Sequence, residues 1–247
     1  MIKVLVKRAL ASLGYTVNGI RQQPRHLLDS ANLRTLEFDD VVCRRMFEVG
    51  PRLTFVQIGA FDGTTADPLR KYIERCAWRG VLVEPQSRAA EKLRHLYRGS
   101  EHVVVMQAAV DASVGKRVLF TAASDAVPAW VGGLASFTRD AIAKHRDIVP
   151  QIDALIAEEV VDCVPFDAVL DRLPSETLDL LQIDAEGADA YLLSLFPFDR
   201  VRPAIIHWEV KHLTKSAREE CFDRLVHLGY RLAVSGSEDM IAVLERP

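Results

Sequence analysis

Residues 179–189 read DLLQIDAEGAD, and this stretch constrains the fold more than any other. Leu180, Leu181 and Ile183 make a short apolar run, the length of a strand buried on both faces. Asp184, Glu186 and Gly187 follow at once, and residues 188–196 then carry a helix-like pattern. A buried strand that ends in acids and turns into a helix belongs to an open α/β sheet. Such sheets bind ligands outside the carboxyl ends of their strands. The two acids also fit a plainer role, capping the next helix at its positive end.

The same rhythm recurs on both sides of this stretch. Residues 53–58 predict a strand that runs into Gly59-Ala60-Phe61-Asp62-Gly63, and a helix starts near Asp67 with Pro68 in its first turn. Residues 80–83 predict a second strand ending in Glu84, residues 88–97 a helix, and residues 102–106 a third strand. Alternation at this spacing means a parallel sheet with right-handed crossovers. After a short strand at 115–121 the pattern lapses over 122–137. A helix over 138–157, a strand over 159–164 and a helix over 166–173 are expected next. Residues 122–157 are therefore expected to form an inserted lid or acceptor loop. Beyond the central strand, residues 204–210 predict another buried strand carrying His207 and Glu209, and 216–228 a charged amphipathic helix. The segments 229–234 and 240–244 suit an antiparallel edge.

Composition bounds the possibilities. A chain of 247 residues, 49% apolar and 26% charged, can bury a substantial core as one large domain. A net charge of −3 with a pI near 6.2 gives no electrostatic case for nucleic acid. Cys43, Cys76, Cys163 and Cys221 form no CxxC pair, so a reduced, cytoplasmic protein fits better than a disulfide or zinc framework. No apolar run approaches the roughly 18–20 residues of a membrane span. Ile2, Leu5, Val6, Ala9, Leu10 and Leu13 nevertheless follow helical spacing among Lys3, Lys7 and Arg8. Such a basic amphipathic helix packs on its own domain or a twin subunit, or lies on an anionic membrane surface. Residues 1–49 are expected to form a helical arm and connector, and 50–247 the main domain.

The glycine loop after the first strand is GxxxG, matching neither a dinucleotide fingerprint nor a phosphate cradle. Glycines there still let the backbone approach a ligand closely. Glu84, at the end of strand two, is placed to accept hydrogen bonds from ribose hydroxyls. Adenosine without a phosphate fits this pair, and S-adenosylmethionine (SAM) is such a cofactor. Gly59, Ala60 and Gly63 then line its site, with Asp62 attracting its ammonium or sulfonium charge.

Several segments in order resemble the FkbM-type class I SAM-dependent methyltransferases. They are FVQIGAFDG (55–63), Asp67–Pro68, WRGVLVEP (78–85), QAAV (107–110) with Gly115, QIDAEGA (182–188), IIHWE (205–209) and the late Leu228-Gly229-Tyr230. Gln57 stands where most class I methyltransferases carry an acid, and Phe61 where this branch usually has Asn. The resemblance covers roughly 50–247 and implies a Rossmann-like seven-stranded, mostly parallel sheet; residues 1–49, the expected N-terminal helical arm, lie outside it. It also implies Gln57 and Ala109 beside the cofactor, and O-methylation of small metabolites, often sugars or polyketide-like scaffolds.

Methyl transfer to an alcohol needs in-line positioning and removal of a proton, by a base or by a metal. Asp184, Glu186, His207 and Glu209 are the expected catalytic groups at the strand ends. Asp184 and Glu209 are expected to hold Mg²⁺ or another divalent cation such as Ca²⁺. Trp130, Ser136 and His145 in the insertion are the expected contacts to a small hydroxylated acceptor. Two other classes stay open: a catalytically silent binding or scaffold protein, and a nicotinamide-linked oxidoreductase, which the missing GxGxxG disfavours.

Overall fold

The computed structural model describes residues 5–6, 35–122 and 129–245. The first half contains α1 (Phe38–Val49), β1 (Thr54–Ile58), α2 (Arg70–Cys76), β2 (Arg79–Val83), α3 (Ser87–Leu96) and β3 (Val103–Met106). The inserted part holds β4 (Ala109–Val110), β5 (Gly115–Ala122), a 3₁₀ turn at Ala129–Gly133, β6 (Ala135–Ser136) and α4 (Arg139–Ala143). It continues with a second 3₁₀ turn at Lys144–Asp147, α5 (Ile152–Leu155), β7 (Ile156–Val164) and α6 (Phe166–Leu170). The second half is β8 (Leu180–Ile183), α7 (Asp189–Leu195), β9 (Ile205–Glu209), α8 (Lys215–His227), β10 (Tyr230–Ser235) and β11 (Asp239–Leu244).

The main sheet has seven strands in the order β10-β11-β9-β8-β1-β2-β3. Pairings from β9 through β3 are parallel, while β11 lies antiparallel between β9 and β10. This is the expected α/β class I methyltransferase sheet with its antiparallel edge. Every residue of β1 and β8 is buried, which explains why both strands are nearly continuous apolar runs. One face is covered by α1, α2 and α3, through Val42, Met46, Tyr72, Ile73 and Leu93. The other face is covered by α6, α7 and α8, through Val169, Leu192, Leu193 and Leu225. Val6 is fully buried in the α1 side of the core, so this residue packs on its own domain. The rest of the basic segment, residues 1–4 and 7–34, lies outside the described residues.

The helix α1 is part of the sandwich rather than a separate arm, and Asp179 is the reason it holds. Arg45 donates to Asp179 Oδ1 through Nε at 2.9 Å and Nη2 at 2.7 Å, while Asp179 Oδ2 accepts from the Thr54 amide at 2.8 Å. One buried carboxylate thus ties α1 to the starts of β1 and β8. Lys71 and the Tyr72 hydroxyl reach Asp39 at the other end of α1, at 2.5 and 2.8 Å.

The insertion differs from its sequence pattern. The helix expected over 138–157 breaks into α4, a 3₁₀ turn and α5, with Pro150 withholding a backbone donor between them. Residues 156–158 instead lengthen β7, which pairs antiparallel with β5 from Ala122↔Ile156 to Gly115↔Cys163. A four-stranded sheet, β4-β7-β5-β6, results. Residues 123–128 of the expected loop lie outside the described residues.

Candidate active site

A cleft of about 660 Å³ opens outside the C-terminal ends of β1, β2 and β8. The chain leaves β1 toward β2 on one side and β8 toward β9 on the other, so this is the switch point of the sheet. Gly59 closes the floor. It has φ 77°, and a Cβ there would stand 1.8 Å from the Asp184 carbonyl oxygen, so only glycine lets the two strand-end loops touch. Gly63 serves packing instead: its Cβ would meet Leu93 Cδ2 at 2.7 Å.

Glu84 braces the loop from β2. Its Oε2 accepts the Phe61 amide and its Oε1 the Gln86 amide, both at 2.8 Å. Burial pushes its carboxyl up to about 7 despite these bonds. Phe61 itself has φ 45°, a strained conformation for a non-glycine. That twist sets its ring beneath the lid, where Gly132 would place a Cβ 3.3 Å from the ring tip. Phe61 in the place of the usual Asn is therefore a lid contact.

The far side of the cleft is crowded with acids. Asp184 opens onto the cleft with protein on most other sides, and burial followed by Glu238 raises its carboxyl. Glu186, at φ 51°, is pushed up to about 7 by burial and then by Asp184. Glu209 is pushed up to about 8 by burial, Asp184 and Asp189, and its Oε2 has no hydrogen-bond partner among the described residues. His212 faces both acids: its Nε2 lies 3.6 Å from Glu186 and 4.0 Å from Glu209. Lys144, from the lid, stands 3.1 Å from His212 Nδ1. A lysine ammonium can only donate, so Nδ1 accepts and Nε2 carries the proton toward the carboxylates. Burial and the cations Lys144 and Lys211 lower His212 to about 4, keeping it neutral.

The cleft brings together Gln57, Gly59, Ala60, Glu84, Ala109, Trp130, Ser136, Asp184 and Glu186 of the expected residues. Five others lie elsewhere. Asp62 is consumed by its own turn, accepting from Thr64 and Thr65 and pairing with Lys92 at 3.7 Å. Gly63 is behind the loop. His207 points to the α1 face of the sheet, held by Gln182 at 2.8 Å and Ser235 at 3.1 Å beside the Phe38 ring. Burial lowers it to about 4, so it is a neutral core histidine, not a base at the cleft. His145 sits behind Trp130, ring centroids 5.5 Å apart. Glu209 stands one layer back, reaching the cleft through His212. The expected metal pair, Asp184 with Glu209, is accordingly not the ligand cluster that forms. Ligand atoms of Glu186, Glu209 and His212 lie within 4.8 Å of one another. The sequence reading missed Asp67, Arg117, Lys144, Tyr191 and His212, all cleft residues. Of these, Asp67 was visible only as a helix start and a resembling segment, and His212 only by its place three residues past Glu209.

A family model described as the methyltransferase FkbM domain matches residues 57–232. The chain belongs to the FkbM methyltransferase family. No curated protein matches it. Among solved structures it is similar to the methyltransferase FkbM from Methylobacillus flagellatus KT, at 12% identity and a TM-score of 0.45, covering 78% of this chain and 44% of that one. It is also similar to precorrin-6y C5,15-methyltransferase from Geobacter metallireducens GS-15, at 12% identity and 0.43, covering 90% and 100%. The O-methyltransferase from Bacillus cereus in complex with SAH matches at 11% identity and 0.37, covering 97% and 90%. The chain spans less than half the length of the first of these. Among the described residues no helix is long and apolar enough to cross a membrane.

Proposed function

We propose that this FkbM-family chain is a SAM-dependent O-methyltransferase acting on a hydroxyl of a small metabolite, such as a sugar or a polyketide-like scaffold. The observation that carries the reading is one cleft with two chemically distinct halves. Glu84, Gly59 and Ala109 form a half suited to a nucleoside. Lys144, His212 and Glu186, in contact at 3.1 and 3.6 Å, form with Trp130 a half suited to a polar acceptor. When bound, SAM supplies a methyl group activated by its sulfonium. The chain's own residues orient the acceptor and take its proton. Trp130 offers a flat apolar face to an acceptor ring. Glu186, with its carboxyl at about 7, is matched to proton abstraction near neutral pH. His212 stands beside Glu186, its Nε2 3.6 Å from the carboxylate. The test is titration with S-adenosylhomocysteine, followed by methyl transfer from labelled SAM to a panel of hydroxylated acceptors. Glu186→Gln should lower kcat about 100-fold or more and leave S-adenosylhomocysteine affinity unchanged. In the wild type, kcat should rise with pH through about 7, as the carboxylate form takes over. Binding with no turnover on any acceptor would favour a silent scaffold.

A second reading rests on the orphaned Glu209 Oε2 and the Glu186–Glu209–His212 cluster. These groups would hold a divalent cation, which would lower the acceptor hydroxyl's pKa. An imidazole with two carboxylates suits Mn²⁺ or Fe²⁺ better than the Mg²⁺ or Ca²⁺ expected from oxygen ligands alone. Binding there requires the His212 proton to leave Nε2 and Lys144 to release Nδ1. Activity lost to a chelator and restored by Mn²⁺ is the supporting outcome, and chelator-insensitive turnover leaves the proton to Glu186.

A further inference from the structure

The wall of the cleft beside β1 holds two hydrogen-bond acceptors with nothing to accept. Asp67 takes the Leu69 amide on Oδ1 at 2.8 Å and the Gln57 side-chain amide on the same oxygen at 3.4 Å. Its other oxygen, Oδ2, is buried with no hydrogen-bond partner among the described residues. The Gln57 carbonyl oxygen, Oε1, is buried and unpartnered as well. Both residues line the cleft, and they are joined side chain to side chain. A buried acceptor left unmade is costly, so a pair of them marks a place for a donor-rich group. One of the two belongs to a carboxyl group, so the group that fits is a cation carrying several N–H bonds.

The other acids near this half of the cleft are committed elsewhere. Asp62 spends both oxygens on Thr64 and Thr65 and does not line the cleft. Glu84 spends both on backbone amides at the end of β2. Asp184 and Glu186 face the acceptor half. We propose that Asp67, with Gln57 beside it, is the ammonium subsite of this cleft: the α-ammonium of SAM's amino-acid end bonds Asp67 Oδ2 and Gln57 Oε1. The acid missing from Gln57's place in the glycine-loop motif is thereby supplied from the turn that precedes α2. This inference rests on the cofactor reading above, and burial, which raises the Asp67 carboxyl in the free protein, is the cost that a bound cation offsets.

The experiment is calorimetric titration of two ligands, S-adenosylhomocysteine and 5′-methylthioadenosine, which is the same nucleoside thioether without the amino-acid end. The wild type should bind the first more tightly. Asp67→Asn should weaken S-adenosylhomocysteine about 10- to 100-fold and leave methylthioadenosine within about twofold. Retained methylthioadenosine binding also reports that the variant is folded. Gln57→Glu in the Asp67→Asn background should restore most of the lost affinity, since it returns a carboxylate to the same wall. Equal binding of S-adenosylhomocysteine by wild type and Asp67→Asn overturns the subsite while leaving the cofactor reading intact. Parallel loss of both ligands in Asp67→Asn overturns it too, as a general structural effect. A wild type that binds neither ligand overturns the subsite together with the cofactor reading.

Discussion

Asp179 and Asp184 bracket β8 and have opposite surroundings. Asp179 is buried and saturated by Arg45 and Thr54, so its charge is spent on the fold. Asp184 opens onto the cleft, and its charge acts on Glu186, Asp189 and Glu209, raising the carboxyl of each. Glu84 resembles Asp179 in this respect, because its two oxygens hold the Phe61 and Gln86 backbone amides. Glu84→Ala should orphan the Phe61 and Gln86 amides, at about 1–3 kcal/mol each, and weaken S-adenosylhomocysteine binding in the same variant. Urea unfolding and calorimetry check the two effects. A midpoint unchanged by Glu84→Ala would mean that these bonds add no net stability.

At the scale of elements, the strands were legible and the insertion was not. β1, β2 and β8 show themselves as short apolar runs because both of their faces are covered by helices. Residues 138–157 look helical locally, yet their end is captured by β5, a partner more than thirty residues away in the chain. No local pattern records such a pairing. The docking of α1 is also a long-range matter, since Arg45 meets an acid 134 positions on. Asp179→Ala should therefore cost about 3–5 kcal/mol, because it leaves a largely buried guanidinium with only Glu48 at 3.7 Å and orphans the Thr54 amide. Guanidinium chloride unfolding measures this. An Arg45→Met, Asp179→Leu pair should recover a large part of the loss, and equal loss in the pair would place the effect in packing rather than charge.

For the whole molecule, the buried acids make stability depend on pH. Glu84, Glu186 and Asp189 are pushed up to about 7 and Glu209 to about 8, in each case by burial first. The folded state thus holds protons that the unfolded chain releases at lower pH, and each of these groups removes stability as pH rises toward its folded value. His207 and His212, lowered to about 4 from 6.5, act the other way, but only below about 6.5. Between about 6.5 and 8 the carboxyls act alone, so the melting temperature of the ligand-free protein should fall across that window. Glu209→Gln should flatten the slope. A melting temperature that rises from pH 6.5 to 8.5 would contradict the burial of these groups.

The sequence alone settled the succession of strands and helices outside the insertion, the strand-end position of Glu84, Asp184 and Glu186, and the glycine loop after β1. These follow from short-range rules: period, turn residues, and the place where a buried strand runs out. Which of the polar residues share a cleft was decided only in three dimensions. His207 and Glu209 are two apart on one strand, yet His207 is taken into the α1 face by Gln182 and Ser235. Lys144 comes from the lid and His212 from beyond β9, and they meet over Glu186 only because β8 and β9 are neighbours. Asp67 looked like the start of a helix. Its free oxygen, and the unpaired carbonyl of Gln57 beside it, exist only because folding shuts water out of that wall and leaves two buried acceptors on residues that line the cleft.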